Sequence, residues 1–189
     1  MNNKLIIFDC FGVIFDEVAP VFLRRHLSAD TVDEIKEKLF VPADMGEITY
    51  DELLINMERE IGIPKEQFLP EWEALFRIKD DTVNAIRALH KENDIALLSN
   101  APTGVVEGLI EKYDLHDLFD KTVISCNIHM AKPDIEIYRY CVSLFNREYD
   151  EIYMIDDNLK NLEQLPSLGI TPIHFENVEK MMKKLKADA

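Results

Sequence analysis

Leu5-Ile6-Ile7-Phe8 runs directly into Asp9-Cys10-Phe11-Gly12-Val13 near the start of the chain. Four apolar residues with no polar alternation read as a strand buried on both faces, the habit of a parallel sheet covered by helices. Asp9 and the turn after it then fall at the strand's carboxyl end. Four further runs of the same kind follow at Ile95-Ala96-Leu97-Leu98, Thr122-Val123-Ile124, Ile152-Tyr153-Met154-Ile155 and 170–175. Helical patterns over 80–92, 103–113, 135–145, 159–168 and 178–186 separate or follow them, and Gly169 is a helix stop before the last strand. The alternation predicts an α/β protein: a doubly wound, Rossmann-like, five-stranded parallel sheet with strand one central, between strands two and four.

Between the first and second strands the alternation fails. Segments 20–27, 31–40, 49–61 and 65–76 all read as helices, with no strand among them. Thr49 followed three residues later by Glu52 is a helix-start signature, and Asp80-Asp81 suits the first turn of the next helix. So large a helical insert is no ordinary crossover. The expected organisation is an α/β core from residues 1–16 and 80–189, with a helical cap of residues 17–79 over the carboxyl end of the sheet.

Composition narrows the function classes. With 189 residues, 47% of them hydrophobic, the chain can build one substantial core. Against 21 basic residues stand 36 acidic ones, and a net charge of −15 repels a nucleic-acid backbone. Six Gly and eight Pro exclude collagen-like and low-complexity readings. Three cysteines without a C-x-x-C pair give no disulfide framework, and no leader or membrane span is evident. A cytoplasmic protein is expected, with no membrane or nucleic-acid partner and an oligomeric state that the sequence leaves open.

Ligands of doubly wound sheets collect where strands end at their carboxyl edge. Strand one ends in Asp9, strand two in Ser99-Asn100 and strand four in Asp156-Asp157-Asn158, while Lys132-Pro133 follows strand three. Three carboxylates brought together repel unless a hard cation sits among them, and oxygen-only ligation suits Mg²⁺. Ser99, Lys132 and the backbone N–H groups after Asp9 can hold a phosphate-like dianion beside it. A carboxylate facing such a group can act as nucleophile and form an aspartyl-phosphate. Singly, each residue also has an ordinary reading as a helix cap, a turn residue or a solvated lysine. Their joint arrival on successive strand ends favours chemistry.

The segments Phe8-Asp9-Cys10-Phe11-Gly12-Val13, Leu97-Leu98-Ser99-Asn100, Lys132-Pro133-Asp134 and Ile155-Asp156-Asp157-Asn158 resemble the four motifs of the haloacid dehalogenase-like (HAD) hydrolase superfamily. The resemblance spans nearly the whole chain and is strongest to sugar-phosphatase-like members and the phosphatase domain of soluble epoxide hydrolases, with Met45-Gly46-Glu47-Ile48 resembling their cap. It implies a Mg²⁺-dependent phosphatase of a small phosphorylated metabolite. Asp9 corresponds to the nucleophile and a metal ligand, and the Phe11 carbonyl to a backbone ligand. Asp157 corresponds to a direct ligand, with Asp156 orienting Lys132 or a metal-bound water. Ser99 and Asn100 correspond to phosphate binders, Lys132 to the neutralising cation, and Asn161 to a holder of metal-bound water.

One position departs from that pattern. Most phosphatases of the superfamily carry a second Asp two residues after the nucleophile, as general acid and base, and here Phe11 stands in its place. Some phosphatase-like relatives also lack it. Losing such a group forfeits about 10²- to 10⁴-fold in rate. Asp16, Asp44 or Glu47 can compensate, or all three are turn and surface residues. The aromatic also resembles motif one of metal-independent 2-haloacid dehalogenases, but those lack the acidic pair, and Asp156 with Asp157 favours phosphoryl transfer. A metal-independent 2-haloacid dehalogenase, a phosphometabolite-binding protein of low activity and a mutase stay as alternatives. The five histidines have no zinc-site spacing, Cys10 reads as a buried filler, and Trp72 as core or pocket wall.

Overall fold

The computed structural model describes residues 3–187. Its sheet is built from β1 (Lys4–Phe8), β2 (Asp94–Ser99), β3 (Lys121–Ile124), β4 (Glu151–Asp156) and β5 (Ile170–His174), all parallel, in the order β3-β2-β1-β4-β5. The first strand is therefore central. Register pairs Phe8 with Leu97 on one side and Ile155 on the other, so Asp9, Ser99 and Asp156 emerge along a single edge.

Strand residues divide between the faces with a period of two. Ile6, Phe8, Ile95, Leu97, Tyr153 and Ile155 enter one apolar cluster, and Leu5, Ile7, Ala96, Leu98 and Met154 enter the other. Helices α6 (Asp80–Leu89), α7 (Val105–Lys112) and α11 (Val178–Ala187) cover the first face, while α9 (Ile135–Ser143) and α10 (Leu159–Leu162) cover the second. The helix expected over 159–168 is broken, into α10 and a 3₁₀ turn at Leu165–Leu168. Pro166 lacks the amide an α-helix needs there and disfavours helical backbone at Leu165. A short helix α8 (Ser125–Ile128), unmarked by any apolar period, follows β3.

Between β1 and α6 lie α1 (Ala19–His26), α2 (Ala29–Ile35), α3 (Val41–Asp44), α4 (Tyr50–Ile61) and α5 (Lys65–Ala74). They enclose a cluster of their own, in which Phe22, Leu23, Leu53, Met57, Phe68 and Trp72 are buried. Thr49 caps α4 through a reciprocal pair of bonds: Thr49 N–H donates to Glu52 Oε2 at 2.7 Å and Glu52 N–H to Thr49 Oγ1 at 3.2 Å. The helix expected over 31–40 starts earlier and runs on through a π-helical turn at Lys36–Phe40 into α3. Pro42 explains the wider turn, since its ring would collide with the carbonyl four residues back in a regular α-helix. The two chain crossings lie side by side: Asp16 N–H donates to the Arg77 carbonyl at 2.9 Å and Lys79 N–H to that of Ile14 at 2.8 Å.

Candidate active site

The sheet's carboxyl edge and the helical insertion face each other across a cavity of about 680 Å³. Asp9, Asn100, Lys132 and Asp157 line its floor, and Asp44, Trp72 and other side chains of the insertion line the far wall. Asp9 lies one residue beyond β1, where its N–H continues the ladder to the Ile155 carbonyl at 2.9 Å. The turn that follows closes on the Cys10 carbonyl, which accepts from Ile14 and Phe15 N–H at 2.8 and 2.9 Å. Gly12 adopts φ +81°, and a Cβ there would lie 2.2 Å from Asp157 Cγ. Only glycine admits both that backbone and that neighbour.

Lys132 is the electrostatic hub. Its Nζ lies 2.8 Å from Asp9 Oδ1 and 2.7 Å from Asp156 Oδ2, and its side chain is 1% exposed. Burial pulls the ammonium down, but the charges of Asp9 and Asp156 prevail and hold it above its ordinary range. Burial, followed by the Asp156 charge, raises Asp9 well above the carboxylate range, against the pull of Lys132. Asp157 is raised in the same direction, by burial and then Asp156. One ligand oxygen from each of Asp9, Asp156 and Asp157 lies within 4.8 Å of the others. Three carboxylates facing one lysine leave uncompensated negative charge, and an all-oxygen donor set of this kind fits Mg²⁺.

Asn100 clamps the lysine's backbone. Its Nδ2 donates to the Lys132 carbonyl and its Oδ1 accepts from Lys132 N–H, each at 2.8 Å, beside a cis Lys132–Pro133 bond. That amide is engaged by protein, although the residue also lines the cavity. Ser99 is fully buried, with its hydroxyl 3.4 Å from the Asn100 carbonyl. Asn161 Nδ2 donates to both oxygens of Asp156, at 3.1 and 3.0 Å, and Asn158 N–H donates to Asp156 Oδ1 at 2.8 Å. Asn161 thus orients a carboxylate. Asp157 is steadied from β5, where the His174 ring Nε2 lies 3.0 Å from its carbonyl.

Phe11 is half-buried against Phe76, ring centroids 6.0 Å apart. Trp72 stacks edge-on to Phe76 at 5.8 Å and lies 6.0 Å from Phe40, so an aromatic wall climbs from the nucleophile turn into the insertion. Trp72 is both core and wall: 3% exposed, in the insertion's cluster and on the cavity. Asp16 instead sits 4.0 Å from Lys79 Nζ at the crossing, and Glu47 is exposed. Asp44 does line the cavity. So do Glu17, raised by burial and by the charge and hydrogen bond of Asp157, and Lys36 on the π turn. Neither belongs to a strand-end motif, and only the fold of the insertion brings them here.

Comparison with known proteins agrees with this architecture. A family profile described as haloacid dehalogenase-like hydrolase matches residues 3–169. Drimenol cyclase of Aspergillus calidoustus is 31% identical over 191 residues, which cover 96% of this chain but 36% of the cyclase, so the chain spans about a third of that relative. D-ribitol-5-phosphate phosphatase of Bacteroides thetaiotaomicron is 26% identical over 190 residues, covering 92% of each protein. Among solved structures, a HAD-family enzyme of Bacteroides thetaiotaomicron in complex with magnesium and inorganic phosphate superposes with a TM-score of 0.73 at 20% identity, over 95% of this chain and 99% of that one. L-2-haloacid dehalogenase of Xanthobacter autotrophicus gives 0.64 at 18%, over 98% and 83%. The profile runs unbroken from before β1 to the residue preceding β5, through every strand-end motif and the insertion, and on that ground the chain belongs to the haloacid dehalogenase-like hydrolase family.

Proposed function

We propose that this hydrolase is a Mg²⁺-dependent phosphatase of a small phosphorylated metabolite, working through an aspartyl-phosphate on Asp9. The observation that carries the reading is the floor of the cavity: three carboxylates with oxygens within 4.8 Å of one another, and a buried lysine bridging two of them. Asp9, Asp157 and Asp156 would hold the ion. When bound, Mg²⁺ would offset the charge shared by the phosphoryl group and the carboxylates. Asp9 Oδ attacks phosphorus as the bond to the leaving oxygen breaks, and water then cleaves the acyl-phosphate to return Asp9 and release phosphate. Lys132 balances charge on Asp9 and the phosphoryl oxygens, with Asn100 fixing the backbone that presents it. Residues 17–79 act as the cap that selects the substrate.

Support also comes from the relatives. One is a phosphatase of a phosphorylated polyol, and a structural neighbour has been seen with magnesium and phosphate. Dehalogenation is disfavoured by the clustered acids, which without a metal would repel an anionic substrate. Three buried free cysteines suit a reducing cytosol, and among the described residues no helix is long and apolar enough to cross a membrane.

The test is hydrolysis of p-nitrophenyl phosphate with Mg²⁺ and with chelator, for the wild type and Asp9→Asn. Phosphate release that needs Mg²⁺ and falls by at least ~10³-fold in the variant is expected. Halide release from 2-haloacids in chelator would instead identify a dehalogenase.

A further inference from the structure

Given that phosphatase reading, on which this step rests, the vacancy left by Phe11 needs a proton donor, and we infer that Asp44 of the cap is the general acid and then the general base of the reaction. Asp9 attacks from the floor of the cavity. In an in-line displacement the leaving oxygen lies on the opposite side of phosphorus, toward the wall made by the cap. Asp44 lines that wall and shares the cavity with Asp9, Phe11 and Lys132. The nucleophile turn itself offers no proton, because the Phe11 ring is packed on Phe76.

Asp44 is held by its backbone, with its carboxyl uncommitted. Its carbonyl accepts from the buried Ser125 hydroxyl at 2.6 Å, and that hydroxyl accepts from Ala101 N–H at 3.0 Å, one residue beyond the Asn100 clamp. On the next residue, the Met45 carbonyl lies 2.8 Å from His129 Nδ1. Gly46 follows at φ +72°, so close to the core that a Cβ would come within 2.5 Å of the Cys126 carbonyl. This turn of the cap is thus docked on the segment after β3. Among the described residues none hydrogen-bonds or ion-pairs with the Asp44 carboxyl oxygens. Capping and ion pairing therefore do not account for this carboxyl, on a residue that lines the cavity.

Its surroundings also give it the right proton affinity. Lys36 acts on it from the preceding helical run, and Lys132 and Cys126 from the core; Asp33 and Glu37 line the same cavity, and His129 meets the neighbouring Met45 carbonyl. Burial raises the Asp44 carboxyl to about 7, against the pull of Lys36 and Lys132. A carboxyl raised this far can give a proton in one step near neutral pH and take one in the next. As Asp9 forms its bond to phosphorus and the bond to the leaving oxygen breaks, the Asp44 proton passes to that oxygen, releasing a neutral alcohol. Water then attacks the phosphoryl group, Asp44 carboxylate takes its proton, and the bond from phosphorus to Asp9 breaks. Inorganic phosphate departs with Asp9 ionised and Asp44 protonated again.

Two substrates of similar size separate this role from a structural one: p-nitrophenyl phosphate, whose leaving group needs little protonation, and benzyl phosphate, whose alkoxide needs a proton. With Mg²⁺ present, Asp44→Asn should lower kcat/KM for benzyl phosphate by about 10²- to 10⁴-fold, and the p-nitrophenol burst rate at least tenfold less. The burst also reports that the variant is folded with its nucleophile in place. In the wild type, kcat/KM for benzyl phosphate should fall as pH rises through about 7, the value at which Asp44 loses its proton. That limb should vanish in Asp44→Asn and return in Asp44→Glu. Equal losses on both substrates, or a basic limb retained in Asp44→Asn, would overturn the assignment while the phosphatase reading stands. A wild type that hydrolyses neither ester overturns both.

Discussion

Gly12 shows how closely a single residue controls this site. Its φ of +81° is costly for any other residue, and an added methyl would overlap the Asp157 carboxylate at 2.2 Å. Gly12→Ala must push Asp157 away from Asp9 and Asp156. The expected result is a fold weakened by about 1–3 kcal/mol and the loss of most Mg²⁺-induced stabilisation. Thermal melts with and without Mg²⁺ measure both: the wild type should gain ~2.7 kcal/mol when the ion is at a hundred times its Kd, and Asp157→Asn should gain far less without the backbone cost. Asp44 carries a stability signature of its own. Its folded-state value of about 7 lies above the unfolded one near ~3.9, so its contribution is fully present in acid and is lost as pH rises through 7. Asp44→Asn, which mimics the protonated form, should therefore match the wild type at pH ~4 and melt higher than it at pH ~8. A variant less stable than the wild type at both pH values would mean that the charged carboxyl is stabilised by contacts.

At the scale of elements, the strands were the most legible part. Runs such as Ile95–Leu98 must be buried on both faces, and burial of that kind has few solutions besides the middle of a parallel sheet. The acids are legible because strand ends converge whatever the helices do, and Lys132 because it follows the third strand in a Lys-Pro-Asp motif, although α8 intervenes. Most helices are legible in rough extent, but the short α3 and α8 and the interruptions are not. Pro166 breaks the apolar period over 159–168, giving the 3₁₀ turn after α10, and Pro42, just past the end of the period over 31–40, goes with the π turn before α3. Lys36 and Glu17 carry no such signal: their approach to the cavity depends on how the insertion winds back over the sheet, which no local pattern encodes. The start of α4, by contrast, was written in Thr49 and Glu52. Thr49→Ala removes one half of the capping box, and a loss of ~1 kcal/mol in denaturant melts is expected, with an unchanged m-value.

At the scale of the whole molecule, the insertion's apolar cluster joins that of the first sheet face at the chain crossings beside Asp16 and Lys79, and again where α3 meets α8. At the second junction the fully buried Ser125 hydroxyl donates to the Asp44 carbonyl and accepts from Ala101 N–H, tying the cap to the loop that carries Asn100. Removing it leaves two polar backbone groups without that partner, at a cost of about 1–3 kcal/mol. The consequence reaches chemistry, because the same bond sets where Asp44 stands relative to Asp9. In Ser125→Ala the rate on benzyl phosphate should fall more than the p-nitrophenol burst, by about tenfold or more, since a misplaced acid matters only where a proton is needed. A double-mutant cycle isolates the coupling. Once Asp44→Asn has removed the proton, Ser125→Ala should no longer change the ratio of the two substrates, although it should still lower the melting temperature. Additive effects on that ratio would show that the cap–core junction acts on the nucleophile and the phosphate site directly, through Asn100 and Lys132, and not through the placement of Asp44.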